Sequence, residues 1–213
     1  LSGLTASQVG GLTATSLSAL DATQMGSLST TQIGGVTATQ IRGLNATDVA
    51  ELSATQVGAL STSQIGALSA TNLSALDATQ MGALSGTQLR GLSNTQVQGL
   101  TTTDVGELSA TQVGKLTTTQ VASLTANQAA QLNAEQAGAL STGQAVKIQG
   151  ATLAKLSTQG LAGLSTDAVS KLSVSQLGNL SGTQVGALTS SQLVALETAQ
   201  AASLSQAQLA GLK

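Results

Sequence analysis

The sequence predicts an all-α solenoid, a superhelix of one-turn helices with one helix to every eight residues. Three patterns predict it. An apolar residue leads every eighth position without a gap, a short oxygen-bearing side chain follows it directly, and a glutamine stands three residues further on. Together they spell an octad of the form Leu, Ser or Thr, Ala, Thr, Gln, Val, Gly, Ala, as in LSATQVGAL at 52–60.

The lead position is the most regular. From Leu4 to Leu212 every eighth residue is Leu, apart from Val36 and Ile148. Position six is Val, Ile, Leu or Met, with Ala at 129, 137, 145 and 201. A single long helix cannot use this pattern, because eight residues at 100° each leave a drift of about 80° per repeat, and no fixed apolar face results. Nor does a repeat of eight match the 3.5 or 3.67 residues that supercoiled helices need.

In the complete octads position two is Ser, Thr, Asp or Asn except at Gln149 and Glu197. These four types share a short side chain able to accept a hydrogen bond from the first free amides of a helix, so the position reads as an N-cap. Gln follows three residues later in nineteen octads, with Asp48 and Asp104 as variants. That spacing is the capping box, in which the third helical side chain reaches back to the amide of the cap. The lead residue and position six then form a hydrophobic staple. Gly at position seven, present in eleven octads, is expected to stop each helix in the left-handed conformation.

An isolated octad cannot fold, since burying one Leu and one Val falls short of the cost of ordering eight residues. Stability has to come from neighbouring octads, the condition that defines a solenoid. Small residues at positions three, seven and eight are expected to let adjacent backbones approach closely. The rival fold is a β-solenoid, since an even repeat keeps side chains on constant faces. Against it, positions one and six fall on opposite faces of a strand, Ala, Gln and Gly are poor strand residues, and Asp and Asn at position two go unexplained.

The pattern covers 1–213, read as one continuous octapeptide-repeat solenoid and as a segment of a longer chain. Leu1 falls at position six and Lys213 at position two, inside the pattern. Uncapped ends of this kind are expected to associate. A longer repeat lies within the short one: TSLSALDATQMGSL at 15–28 returns as TNLSALDATQMGAL at 71–84, and Asp48 and Glu51 return as Asp104 and Glu107. The offset of seven octads fits a copied block. Basic residues at Lys115, Lys147, Lys155 and Lys171 follow these acidic pairs, an asymmetry able to set head-to-tail register.

Composition narrows function. The chain has no Trp, Tyr, Phe, Pro, Cys or His, charged residues are 8%, and the net charge is −2. Such neutrality offers no electrostatic footprint for nucleic acid, and no apolar run is long enough to insert into a membrane. Carboxylates stand on separate octads apart from the pairs Asp48 with Glu51 and Asp104 with Glu107, which read as cap variants and not as a calcium loop. Ser and Thr lack a base partner. GQAVKIQGATLAKL at 143–156 lacks phosphate-loop spacing and reads as a degenerate octad. No catalytic, cofactor-binding or metal residue is therefore assigned, no cofactor is expected, and the chain is read as non-enzymatic.

The phrase L-[ST]-x-x-Q-[VIL]-x-x resembles the Leu, Thr and Gln-rich octapeptide tracts of very large bacterial cell-surface proteins described as adhesin-like or as haem utilisation or adhesion proteins. VTATQIRGL at 36–44, with Val in the lead, and LSTSQIGAL at 60–68 carry the resemblance, which extends over the whole chain. It implies an extracellular or cell-surface structural role in a filament, sheath or adhesin stalk, built by stacking and self-association. Haem binding gains nothing from the residues, because His, Cys and Tyr are lacking, and Met25 and Met81 read as staple residues. The expected partners are other copies of the chain, and cell surface or polysaccharide. The alternative function is a ligand-binding module with a Thr-rich face for ice or polysaccharide.

Overall fold

A computed structural model describes Leu1 and residues 3–212; Lys213, read above as position two, lies outside the described residues. Short helices of four to six residues recur once per octad, from Ala6–Gly10 to Gln206–Leu209, and no strand occurs among the described residues. The fold is an all-α solenoid, so the β-solenoid is set aside.

The helices start as the caps dictate. At Ala54–Ala59 the cap Ser53 is extended (φ −68°, ψ 157°) and its hydroxyl accepts from Gln56 N–H, while Gln56 accepts from Ser53 N–H, closing the capping box. Asp21 and Asn133 cap their helices by the same reciprocal bonds. Gln149, lacking a short oxygen, makes no side-chain cap bond.

The helices do not stop as expected. No described residue, glycine or otherwise, has positive φ. Instead the chain leaves each helix through a right-handed or extended residue, and the next lead residue donates its N–H to the position-six carbonyl, as Leu60 does to Val57 at 3.2 Å. Extended conformation at the lead residue and at the next cap, such as Leu44 (φ −71°, ψ 146°) and Asn45 (φ −96°, ψ 177°), breaks the helix without a left-handed glycine.

The chain divides into two compact units, residues 1–107 and 108–213. In each, a helix packs on the one three octads later, so three octads make one coil and three columns of helices rise together. In the first unit Ala6–Gly10, Thr30–Gly35, Ala54–Ala59, Ala78–Gly82 and Thr102–Glu107 form one column. In the second, Ala110–Lys115, Ala134–Gly138, Thr158–Gly163, Gly182–Gly186 and Gln206–Leu209 do the same. Lead and sixth residues point inward: Val57, Ile65, Leu89, Leu153 and Leu177 are fully buried, and the lead residues of the same octads nearly so. The core is a repeated layer of aliphatic side chains. A layer built from identical parts leaves no irregular space for a ring to fill.

The small residues serve contact between coils. A methyl group on Gly10 would meet the Gly35 carbonyl oxygen at 2.5 Å, one on Gly43 would meet the Ala14 methyl at 2.6 Å, and one on Gly138 would meet the Gly163 carbonyl oxygen at 2.9 Å. Gly35 and Gly163 stand equally tight against Ala6 and Ala134. Position eight of one octad thus rides on position three of the octad one coil earlier, and glycine is there for closeness of approach. Gly26, Gly34, Gly82, Gly106 and Gly178 have open space instead.

Candidate functional site

The most built feature of the molecule is the glutamine at position five. Gln56 is 3% exposed. Its Oε1 accepts Ser53 N–H at 2.7 Å, and its Nε2 donates to the carbonyls of Met25 at 2.9 Å and Leu28 at 2.8 Å. One side chain therefore clamps its own helix start and bolts it to the coil beneath. The Leu28 carbonyl lies just ahead of the Ser29 cap, outside the helix, and burial makes a donor for it obligatory.

The arrangement repeats through both units. Gln40 donates to Val9 and Leu12, and Gln64 to Ile33 and Val36, at 2.6–2.9 Å. In the second unit Gln192 reaches Leu161 and Leu164, Gln200 reaches Val169 and Leu172, and Gln208 reaches Leu177 and Leu180. The separations are 31 and 28 residues each time. Reading position five as a capping box captured only the Oε1 half. A signal for the other half is present: a capping box takes Glu as readily as Gln, yet no octad has Glu at this position, because a carboxylate has no hydrogen to give to the coil below.

The departures from glutamine obey the same logic. Asn72, one carbon shorter, donates to Leu44 at 2.7 Å and leaves the capping bond. Asp48 and Asp104 keep the capping bond, accepting from Asn45 N–H at 2.8 Å and Thr101 N–H at 2.6 Å. Across the coils their bond is reversed: Ser18 Oγ donates to Asp48 Oδ2 at 2.5 Å, and Ser74 Oγ donates to Asp104 Oδ2. Sequence reading placed both Asp residues at the helix start and missed the two serines. In the second unit Thr152, Gly160 and Ala168 stand where glutamine would be, at position five of three consecutive octads.

Outside the bolts the surface is hydroxyl-rich and shallow. Thr31, Thr55, Thr79 and Thr103 are exposed at position four along one column of the first unit. Clefts lie between coils beside Ala14, Ser18 and Gly43, and beside Thr158, Thr183 and Gly186, without a charged residue in either lining. Among the described residues no group of three or more His, Cys, Asp or Glu side chains gathers to hold a metal ion. Of the first acidic pair, Asp48 is buried, and the Oε2 of Glu51 is buried without a hydrogen-bond partner. Lys171 Nζ donates to Glu197 Oε1 at 2.8 Å on the surface, and this bond with its charge attraction raises the Lys171 pKa above the ordinary lysine value. No helix among the described residues is long and apolar enough to cross a membrane.

Residues 86–118 match the family model of the ALTTAQ repeat. The match spans four helices, Gly86–Arg90 to Ala110–Lys115, and reaches into a fifth. Periodic sequence, one helix per octad and this match make the chain a tandem-repeat protein. No curated protein matches it.

Proposed function

We propose that the chain is a non-enzymatic, extracellular structural repeat, the wall or shaft material of a filament, sheath or adhesin stalk that assembles by self-association. The observation that carries this reading is the investment of nearly every buried polar side chain in bonds between coils. Gln, Asp and Asn at position five hold one layer to the next, while the exposed residues are mainly Ser, Thr, Ala and Gly. That division suits a part whose work is to keep its shape and present a uniform hydrogen-bonding surface. Low net charge supports close packing of copies. Size-exclusion chromatography and negative-stain microscopy over a concentration series test it. Concentration-dependent oligomers or fibres are the expected result, and a monodisperse monomer at every concentration opposes it.

The second reading is a polysaccharide-binding face, favoured by the exposed column Thr31, Thr55, Thr79 and Thr103. These hydroxyls stand on helices, so the flat strand lattice needed to order ice is missing from this part of the reading. Glycan-array binding, lost when these threonines are changed to alanine, tests the rest.

A further inference from the structure

We propose that the two reversed bonds, Ser18 to Asp48 and Ser74 to Asp104, are register pins that decide which octad stacks on which in the first unit. A solenoid of near-identical octads has a problem of degeneracy. Glutamine Nε2 donates to main-chain carbonyls, and every octad offers the same ones, so shifting one coil by an octad would preserve every glutamine bond. The staple and the caps are equally indifferent, and such sequences favour several near-equal packings unless something breaks the tie.

The aspartates break it. A carboxylate bonds only to a donor, and the donor here is a side chain 30 residues earlier. A slip of one octad in either direction would bring Gly10 or Gly26 under Asp48 in place of Ser18, and Gly66 or Gly82 under Asp104 in place of Ser74. None of the four has a side-chain hydrogen to donate. Asp48 and Asp104 are 5% and 4% exposed, so water cannot readily substitute, and a buried carboxylate that loses its serine and keeps only the cap amide is penalised. The pairing is selective in sequence as well. Within the first unit position five is Asp only at 48 and 104, and position seven is Ser only at 18 and 74. Donor and acceptor occur together in both copies of the seven-octad block.

The chain has no cysteine, so Thr31→Cys with Thr55→Cys gives a unique pair of exposed spin-label sites on stacked helices Thr30–Gly35 and Ala54–Ala59. Three forms are compared in this background. Ser18→Gly with Ser74→Gly takes one donor from each carboxylate, leaving the cap amides of Asn45 and Thr101, and is expected to lower the thermal midpoint by roughly 5 °C or more. Adding Asp48→Gln and Asp104→Gln restores the common bolt, and is expected to recover the midpoint while splitting or broadening the distance distribution between labels. Ser18→Gly with Asp48→Gln alone removes the pin nearest the labels and is expected to broaden the same distribution. A single narrow distribution in both glutamine-converted proteins, an unchanged midpoint in the serine double variant, or failure of the four-substituted protein to fold each overturns the proposal.

Discussion

Replacing Gln56 by Glu isolates the bond between coils from the cap. Glutamate keeps the oxygen that takes Ser53 N–H at 2.7 Å, and as a capping-box residue it is at least as suitable as glutamine. What it removes is the donor to Met25 and Leu28 at 2.9 and 2.8 Å, and what it adds is a buried negative oxygen facing two carbonyls. Losing one partner from a buried polar arrangement costs about 1–3 kcal/mol for each group left unpaired, and an uncompensated buried charge about 3–5 kcal/mol in all. A loss of roughly 3–5 kcal/mol is therefore expected at neutral pH. Acid should return part of it, because the protonated carboxyl regains one hydrogen to donate. The control is Gln8→Glu: Gln8 is exposed, and its Oε1 takes Thr5 N–H at 2.8 Å. Among the described residues no coil lies beneath it, and a carboxylate near a helix start is neutral or slightly favourable. Urea unfolding followed by circular dichroism, run on both variants at neutral and acid pH, gives the comparison. Equal stability of the two variants would refute the reasoning, since the cap is common to both and only the inter-coil bonds differ.

Further outcomes follow from single positions. Gly34→Ala, facing open space within its helix, should stabilise by about 0.5–1 kcal/mol, whereas Gly35→Ala, pressed on Ala6, should destabilise by roughly 1–3 kcal/mol; thermal melts of the adjacent pair read the sign. Thr152→Gln should restore a bolt toward Leu124 and slow amide exchange around residues 149–172, while Gly160→Gln should fail to do so, because a side chain there would meet the Leu132 carbonyl at 2.8 Å. Glu197→Gln should have a small effect that is present at neutral pH and vanishes in strong alkali. The folded Lys171 pKa is raised, so its contribution is complete below the unfolded value near 10.5 and is lost as pH climbs through the folded one. Salt titration of the melting temperature should shrink the difference further, as the pair is 61% and 57% exposed.

Much of the architecture could be read from residue spacing. Ser, Thr, Asp and Asn after each lead residue specify where a helix begins, because only a short acceptor reaches the first amides, and Ser53, Asp21 and Asn133 all do so. The staple followed from the same frame, and Met25 and Met81 are buried core residues as expected. The stop was misread. Gly at position seven looked like a left-handed terminator, yet Gly10 and Gly138 are right-handed residues whose missing methyl admits a neighbouring coil. Sequence spacing reports what lies a few residues away, and the partner of Gly10 is Gly35. The same limit hid the second function of glutamine, whose acceptors lie 28 and 31 residues back. It hid Ser18 and Ser74 too, since a lone serine at a glycine position has no local signature. Three octads per coil is a packing outcome, visible where Gly43 seats on Ala14 and Gly163 on Ala134, and an octad considered alone contains no trace of it.

The bridging glutamines are most directly observed through their side-chain amide protons. In a nitrogen-edited nuclear Overhauser spectrum of the intact chain, the Gln56 Nε2 protons should show contacts to Met25 and Leu28 and exchange slowly with solvent, while those of Gln8 exchange freely. Contacts from Gln56 confined to Ser53 and its own helix, with exchange as fast as at Gln8, would contradict a solenoid bolted coil to coil through glutamine.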